Sequence, residues 1–208
     1  MGLLTILKKV KEEEKEIRIL VLGLDNAGKT TIVRRLCDRP IDEIEPTLGF
    51  SIQTLDYDLA DDSIDEREEG DDDGHESSSS SSYKLHLWDI GGQSTIRAYW
   101  RNYFEKTDGI VWVVDSGDRL RLDLVREELA RVLRQERLAG ASLLIMANKS
   151  DLEGALSKEA IARGLRLEDE LMKGQTHTRH WTIRGSSAVT GEGLELAMEW
   201  LGRGITDR

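Results

Sequence analysis

Short apolar runs alternate along the chain with longer segments in which apolar residues recur every three or four positions. The apolar runs predict buried strands at residues 17–22, 110–114, 143–147 and 181–184. Helical spacing is found at residues 31–36, 94–104, 122–133, 158–167 and 193–201. Two further segments, 51–58 and 83–89, alternate apolar and polar side chains, as half-buried strands do. This order predicts an α/β fold with a mostly parallel six-stranded sheet, one antiparallel edge strand and helices on both faces.

Residues 1–16 predict an amphipathic helix ahead of the first strand. Its apolar face carries Leu3, Leu4, Ile6, Leu7 and Val10, with lysines opposite. A helix this short needs a surface on which to dock, and the protein's own body, a partner and a membrane are all open. Docking on protein is favoured, and membrane contact is expected to be weak or indirect, because four glutamates follow at once. Acylation of Gly2 is disfavoured because Ile6 stands where the myristoylation motif requires Ser or Thr.

The connection between the two alternating strands is far longer than a hairpin requires. Residues 60–82 are acidic at first and end in six consecutive serines, a composition that does not order itself. Twelve acidic residues and one arginine lie between Asp56 and Glu76. Their summed charge equals the net charge of the whole chain, −11. A disordered insertion in the hairpin is the simplest interpretation. The alternatives are an acidic segment that attracts a basic partner and a phosphorylation site. The rest of the chain has no net charge, which argues against a nucleic-acid-binding protein, because such a protein has a basic face.

Size and composition indicate one globular domain, predicted at residues 17–204. A chain of 208 residues with 38% hydrophobic content can bury a substantial core. No apolar run approaches the ~20 residues that span a bilayer, and no secretory signal is expected before the first strand. Cys37 is the single cysteine, so no internal disulfide is possible and a reducing compartment is expected. A cytoplasmic location is therefore predicted.

The strongest chemical motif runs from Gly23 to Thr30, between the first strand and the first helix. Its pattern, GxxxxGK[ST], is that of a phosphate-binding loop. The glycines let backbone amides point inward around phosphate oxygens, and the helix N-terminus adds partial positive charge. Lys29 is expected to reach the β- and γ-phosphates, and the Thr30 hydroxyl is a hard ligand for Mg²⁺. The predicted nucleotide contacts of this loop are Asp25, Asn26, Ala27, Gly28, Lys29, Thr30 and Thr31.

Other polar residues also follow the carboxyl ends of predicted strands, where doubly wound sheets bind ligands. Asp89 is placed to hold Mg²⁺ through water, and the glycines after it let the Gly92 amide approach a γ-phosphate. Gln93 is the candidate catalytic residue, because its side-chain amide both donates and accepts and can therefore orient an attacking water.

The motif Asn148-Lys149-Ser150-Asp151 predicts the identity of the base. A carboxylate at Asp151 can accept two parallel hydrogen bonds from the N1–H and 2-amino groups of guanine, and adenine offers no such pair. Lys149 can lie along the base, and Asn148 can tie the base region to the phosphate loop. Ser187 and Ala188, after the last strand, could offer a backbone amide to the guanine 6-oxo group. A guanine nucleotide is therefore expected.

Taken together, these motifs resemble the Arf-like branch of the small GTPases. The resemblance lies in GLDNAGKTT, PTLGF, WDIGGQ, YWRNYF, NKSD and SAVTGE, and it covers nearly the whole chain outside the insertion. It implies a P-loop NTPase small G domain that switches between GTP and GDP, with Mg²⁺ as cofactor. GTP would hold Thr47 on Mg²⁺ and Gly92 on the γ-phosphate. Phe50, Trp88 and Tyr103 match an exposed aromatic triad that effectors cover, although Trp88 fits a core position equally well.

The resemblance also implies partners. These are carriers of lipidated proteins, tubulin-folding cofactors, and GTPase-activating and exchange proteins, with association with microtubules or organelles. It further implies that the hairpin between the switches slides in register and competes with the N-terminal helix for a groove. Asp25 stands where many small GTPases have glycine, a feature that the Arf-like branch shares.

Two other functions are weighed against the switch. One is a nucleotide-binding scaffold with negligible hydrolysis, which the retained Gln93 argues against. The other is an ATP-using P-loop kinase, which Asp151 and the lack of an Arg-rich lid segment argue against. A metal site at His177 and His180 is disfavoured because no Cys, Asp or Glu companion lies close by in the sequence.

Overall fold

The computed structural model describes residues 16–59, 81–172 and 179–207. The strands within these ranges are β1 (Glu16–Leu22), β2 (Phe50–Leu59), β3 (Ser81–Ile90), β4 (Gly109–Asp115), β5 (Ser142–Asn148) and β6 (Trp181–Gly185). They form one six-stranded sheet in the order β2-β3-β1-β4-β5-β6. Only β2 and β3 pair antiparallel among these strands, and the other pairings are parallel. The predicted mixed sheet with an antiparallel edge strand is confirmed.

Helices cover both faces of this sheet, as predicted. They are α1 (Lys29–Leu36), α2 (Ser94–Arg97), α3 (Leu122–Leu133), α4 (Lys158–Leu165), α5 (Leu167–Met172) and α6 (Leu194–Thr206), with 3-10 helices at Trp100–Tyr103, Arg119–Arg121 and Glu136–Leu138. Among the residues the structure describes, no helix is long and apolar enough to cross a membrane. Residues 1–15 of the predicted N-terminal helix, residues 60–80 of the insertion, and His177 lie outside the described residues. Glu16, the last residue predicted for that helix, instead begins β1.

Two apolar cores lie on opposite faces of the sheet. Alternate side chains of β1 enter them: Leu20 and Leu22 face α3 and α4, whereas Ile19 and Val21 face α1 and α6. β5 is buried along its whole length, because both of its faces are covered. This explains why the central strands are continuous apolar runs, whereas β2 at the edge alternates.

Two predicted helices are each divided in the structure. Residues 94–104 form α2 and then a separate 3-10 helix, in which the buried Trp100 donates its indole N–H to the Gly91 carbonyl at 2.9 Å. Residues 158–167 are divided at Arg166, whose left-handed φ of 50° ends α4. Strand β3 begins at Ser81, so the last two residues of the predicted insertion belong to the sheet.

The parallel strands bring their carboxyl ends to one edge of the sheet. Asp89 lies next to Val21 in the pairing of β3 with β1, and Asp115 lies opposite Asn148 in the pairing of β4 with β5. The loops that follow these strands therefore gather around the loop between β1 and α1.

Candidate functional site

A cavity of about 470 Å³ opens at this edge of the sheet. It is lined by Asp25, Asn26, Gly28, Lys29, Thr30, Thr31, Ile44, Glu45, Pro46, Thr47, Gly92 and Gln93. The structure thus brings most of the predicted phosphate-loop residues together with Thr47, Gly92 and Gln93, which are distant in sequence. The cavity lies where the sequence predicts the phosphates of a nucleotide.

The phosphate loop adopts the curled backbone that its glycines predict. Gly28 has a φ of +93°, and a Cβ there would lie 2.2 Å from the side-chain nitrogen of Asn148. Only glycine fits at this position, because both the backbone angle and the space exclude a side chain. Asn26 and Lys149 also have left-handed φ values, 61° and 64°. Non-glycine residues in this conformation concentrate at binding sites, where the surrounding structure holds them.

Lys29 is a buried cation that points back over the phosphate loop. Its Nζ donates to the carbonyl oxygens of Gly23 at 3.1 Å and Leu24 at 2.8 Å. Burial lowers the pKa of Lys29 to about 8, while the charges of Asp89 and Asp25 act in the opposite direction. An anion bound in the cavity would stabilise the charged form of Lys29, as a nucleotide phosphate does.

Three hard oxygen groups converge beside Lys29. The Thr30 hydroxyl donates to Asp89 Oδ2 at 2.6 Å and lies 2.8 Å from the Thr47 hydroxyl, which is 3.4 Å from the same carboxylate oxygen. Asp89 is fully buried, and its other oxygen has no hydrogen-bond partner in the described part of the chain. Burial raises the pKa of Asp89, opposed by the Thr30 hydrogen bond and by Lys29. This donor set fits Mg²⁺, which prefers oxygen ligands.

Gln93 stands at the wall of the cavity, directly before α2. The neighbouring Gly92 lies against the phosphate loop so closely that a Cβ would be 2.4 Å from the Asp25 amide nitrogen and from the Gly23 carbonyl oxygen. Close approach to the loop therefore requires glycine at position 92. The structure brings Gln93 to the phosphate end of the cavity, and its catalytic role stays a prediction.

Asn148 links two loops at this edge of the sheet. Its Nδ2 donates to the Ala27 carbonyl at 2.9 Å, and its Oδ1 accepts from the Ala188 amide at 3.0 Å. One buried side chain thus joins the phosphate loop to the loop after β6. The Ser187 amide donates to the Glu192 carbonyl at 3.0 Å. Because both amides already donate within the protein, their expected contact with a guanine 6-oxo group stays a prediction.

The two charged residues of the NKSD motif take different positions. Lys149 Nζ lies 2.6 Å from Asp115 Oδ2, which holds the lysine at the carboxyl end of β4. Asp151 is exposed to solvent, where its carboxylate is accessible to the edge of a base. The guanine contact of Asp151 stays a prediction.

Phe50, Trp88 and Tyr103 form one aromatic cluster at the β2–β3 edge of the sheet. The rings of Phe50 and Trp88 stack at 5.6 Å with 14° between their planes, and Tyr103 lies 5.2 Å from Phe50 and 6.1 Å from Trp88. Phe50 is 47% exposed, whereas Trp88 is half-buried and contacts the core beneath it. The guanidinium of Arg18 lies 3.9 Å from the Trp88 ring centre. Trp88 therefore belongs in part to the core and in part to the surface.

Two further residues, Asp115 and Arg35, build the site but were not predicted from the sequence. Asp115 holds Lys149, and Arg35 donates to the carbonyl oxygens of Ala188 and Val189 in the loop after β6. Asp115 ends a buried strand, so the rule that identified Asp89 could have found it. Arg35 carries no such signal, because its partners lie more than 150 positions away in the sequence.

His180 has an aromatic partner. Its ring stacks on Trp200 of α6, with ring centres 4.2 Å apart and 11° between the planes. The structure therefore gives His180 a packing contact at the start of β6.

Comparison with known proteins places this geometry in a family. The family model described as ADP-ribosylation factor family matches residues 3–205. The chain is 50% identical over 208 residues to ADP-ribosylation factor-like protein 2 of Drosophila melanogaster, covering all of this chain and 97% of that protein. It is 49% identical, with the same coverage, to the protein of that name from Arabidopsis thaliana. Among solved structures, it is similar to the Arl6 BBS3 small GTPase from Trypanosoma brucei with the bound nucleotide analogue GppNp. That match has a TM-score of 0.72 and 26% identity, and covers 92% of this chain and 98% of that one.

Proposed function

The chain belongs to the ADP-ribosylation factor family of small GTPases, and on this premise we propose that its nucleotide state controls partner binding at the aromatic cluster of Phe50, Trp88 and Tyr103. As a member of this family it binds GTP or GDP with Mg²⁺, hydrolyses GTP and acts as a GTP-dependent switch. Activating proteins, exchange proteins and effectors are the general partners of such a switch.

The nucleotide is held by groups that the cavity already aligns. Lys29 and the amides of the phosphate loop bind the phosphates, while Asn148 keeps the base-side loop in place. Asp151 accepts the two guanine donors. Thr30 and Thr47 would hold the metal directly, and Asp89 would hold it through water. Bound Mg²⁺ supplies positive charge that offsets the charge of the phosphate oxygens.

Hydrolysis depends on the position of Gln93. Its side-chain amide orients a water molecule for in-line attack on the γ-phosphate, and Lys29 stabilises the charge that develops on the phosphate oxygens. The close contact of Gly92 with the phosphate loop supports this assignment, because it fixes the neighbouring Gln93 at the cavity wall.

One observation supports the coupling between nucleotide and surface. On β3, Asp89 faces the metal-binding oxygens while the adjacent Trp88 faces the aromatic cluster. On the segment leading into β2, Thr47 contacts Asp89, and Phe50 begins the strand only three residues later. A change at the metal site therefore acts on both strands that carry the aromatic rings.

The partners proposed for this surface are carriers of lipidated proteins and tubulin-folding cofactors. Exposed apolar side chains continue from the aromatic cluster along the edge of the sheet, with Leu48 at 83%, Phe50 at 47% and Ile52 at 43% exposure. An apolar patch of this kind beside a switch site supports a protein-docking surface. A cytoplasmic location with association with microtubules or organelles belongs to the same proposal.

Substitution of Trp88 by Ala tests the docking surface. We expect the affinity of a purified carrier of lipidated proteins for the protein loaded with a non-hydrolysable GTP analogue to fall about tenfold or more, because the central aromatic contact is lost. Tyr99→Ala is the matched control, since Tyr99 is 61% exposed on the neighbouring segment and outside the cluster. Isothermal titration calorimetry of carrier and, in parallel, of a tubulin-folding cofactor provides the comparison. Equal effects of the two substitutions would contradict the assigned surface.

A further inference from the structure

The phosphate loop has a carboxylate side chain, that of Asp25, at the wall of the cavity. Asp25 lies between Leu24 and Asn26, and its side chain is 46% exposed. A carboxylate in this position repels bound phosphates unless nearby positive charge offsets it. The structure supplies that charge from two distant parts of the chain.

Two arginines contact the Asp25 carboxylate from different elements. Arg97, the last residue of α2, places Nη2 3.4 Å from Asp25 Oδ1. Arg121, from the 3-10 helix before α3, places Nη1 3.2 Å from Asp25 Oδ2 and donates through Nη2 to the Asp25 carbonyl at 3.2 Å. Arg121 is itself held by Asp118. The Asp25 carboxylate is therefore flanked by two guanidinium groups. Arg121 is fixed by Asp118, and Arg97 belongs to the segment that carries Gln93.

Arg97 also holds its own segment against the phosphate loop. Its Nε donates to the Gly92 carbonyl at 2.8 Å, and its Nη1 lies 3.5 Å from the buried carboxylate of Glu128 on α3. The Arg97 side chain is only 9% exposed. If residues 91–97 move away from the phosphate loop, Gly92 and Arg97 leave together, and Asp25 loses one of its two counter-charges.

We propose that Arg97 retains the bound nucleotide by neutralising Asp25, and that withdrawal of residues 91–97 leaves the Asp25 carboxylate facing the phosphates and speeds nucleotide release. Arg97 is thus a positioning and charge-balancing residue, since it acts on the nucleotide through Asp25. A partner that moves α2 away from the phosphate loop would release GDP through this contact. The inference rests on the proposed nucleotide site.

The test is the dissociation rate of a fluorescent GDP analogue from the full-length protein in the presence of Mg²⁺. Arg97→Gln is expected to speed dissociation by about tenfold, because it leaves Asp25 with a single counter-charge. Asp25→Asn is expected to slow dissociation, because both arginines then attract the phosphates without opposition. The double variant should release the nucleotide at nearly the wild-type rate, because it loses one charge of each sign beside the phosphate loop. Arg101→Gln, an exposed change of the same charge four residues further on, controls for net charge.

The double variant separates this proposal from a purely structural role. If Arg97 acted only by holding Gly92, the double variant would release GDP as fast as Arg97→Gln, and the proposal would be wrong. An unchanged rate in Arg97→Gln, or faster release from Asp25→Asn, would also overturn it. Added salt should reduce the difference between Arg97→Gln and the double variant, because screening weakens the repulsion. If the wild-type protein failed to bind GDP, the nucleotide site itself would be contradicted.

Discussion

Replacement of Asp151 by Asn is expected to lower the affinity for GTP by about two to four orders of magnitude, since two charge-assisted hydrogen bonds contribute roughly 1.5–3 kcal/mol each. The carboxylate accepts from both N1–H and the 2-amino group of guanine, whereas the amide of Asn offers one acceptor and one donor. Xanthine carries an oxo group at that 2-position, so its edge matches Asn. We therefore expect the variant to prefer XTP to GTP, and competition titrations with GTP, XTP and ATP measure this.

Asp123→Asn is the control for this change, because Asp123 is 81% exposed on α3 and its removal alters net charge by the same amount. It should leave the affinity for GTP within about twofold, as exposed charges away from the site contribute little. If Asp151→Asn kept its affinity for GTP, or if the wild-type protein bound ATP as tightly as GTP, the assignment of the base site would be wrong.

Replacement of Gln93 by Leu is expected to slow GTP hydrolysis by about ten- to a hundredfold. Leucine fills similar space but cannot accept and donate hydrogen bonds, so the attacking water loses its orientation. Affinity for GTP should change little, because Gln93 is expected to contact the water rather than the phosphates. Single-turnover phosphate release from GTP-loaded protein measures the rate.

Gln135→Leu, at the end of α3, is the matched control, since its side chain donates to the Arg131 carbonyl within its own helix end. Its hydrolysis rate should equal that of the wild-type protein. Equal rates for wild type and Gln93→Leu would remove Gln93 from the mechanism. If the wild-type rate matched that of GTP in buffer alone, the scaffold with negligible hydrolysis would replace the hydrolase.

The sheet and much of the site could be predicted because both depend on local patterns. Buried strands appear as apolar runs, and parallel strands bring their carboxyl ends to a common edge. Asp89 and Asn148 were identified by this rule, and the structure places both beside the phosphate loop. Gly28 was identified by its motif, and its left-handed backbone explains the requirement for glycine.

The charge cluster around Asp25 could not be predicted from local patterns. Arg97 and Arg121 lie 72 and 96 positions from Asp25, and their contacts exist only after three separate elements meet. In the sequence, Arg97 looks like an ordinary polar residue of a predicted helix, and Arg121 looks like one in the connection before the next predicted helix. No periodicity or short motif marks a pair of guanidinium groups that share one carboxylate.

The predicted boundaries of two helices were wrong for a related reason. The apolar spacing of residues 94–104 predicts one helix. In the structure, however, Trp100 donates a hydrogen bond to the Gly91 carbonyl and packs edge-on against Trp112, with ring centres 5.8 Å apart. These tertiary contacts outweigh local helix propensity. At Arg166 the chain turns through a left-handed residue, which keeps both Leu165 and Leu167 buried. Neither the contacts of Trp100 nor the turn at Arg166 can be predicted from the spacing of apolar residues alone.

In the proposed switch, the bound nucleotide decides whether the aromatic cluster binds a partner. The most direct measurement is the dissociation constant of a purified carrier of lipidated proteins for the full-length protein, loaded with GDP or with a non-hydrolysable GTP analogue, at constant Mg²⁺. We expect binding about ten- to a hundredfold tighter in the GTP-like state, the usual range for coupling between two sites. Equal affinity in the two states would contradict the switch at this surface.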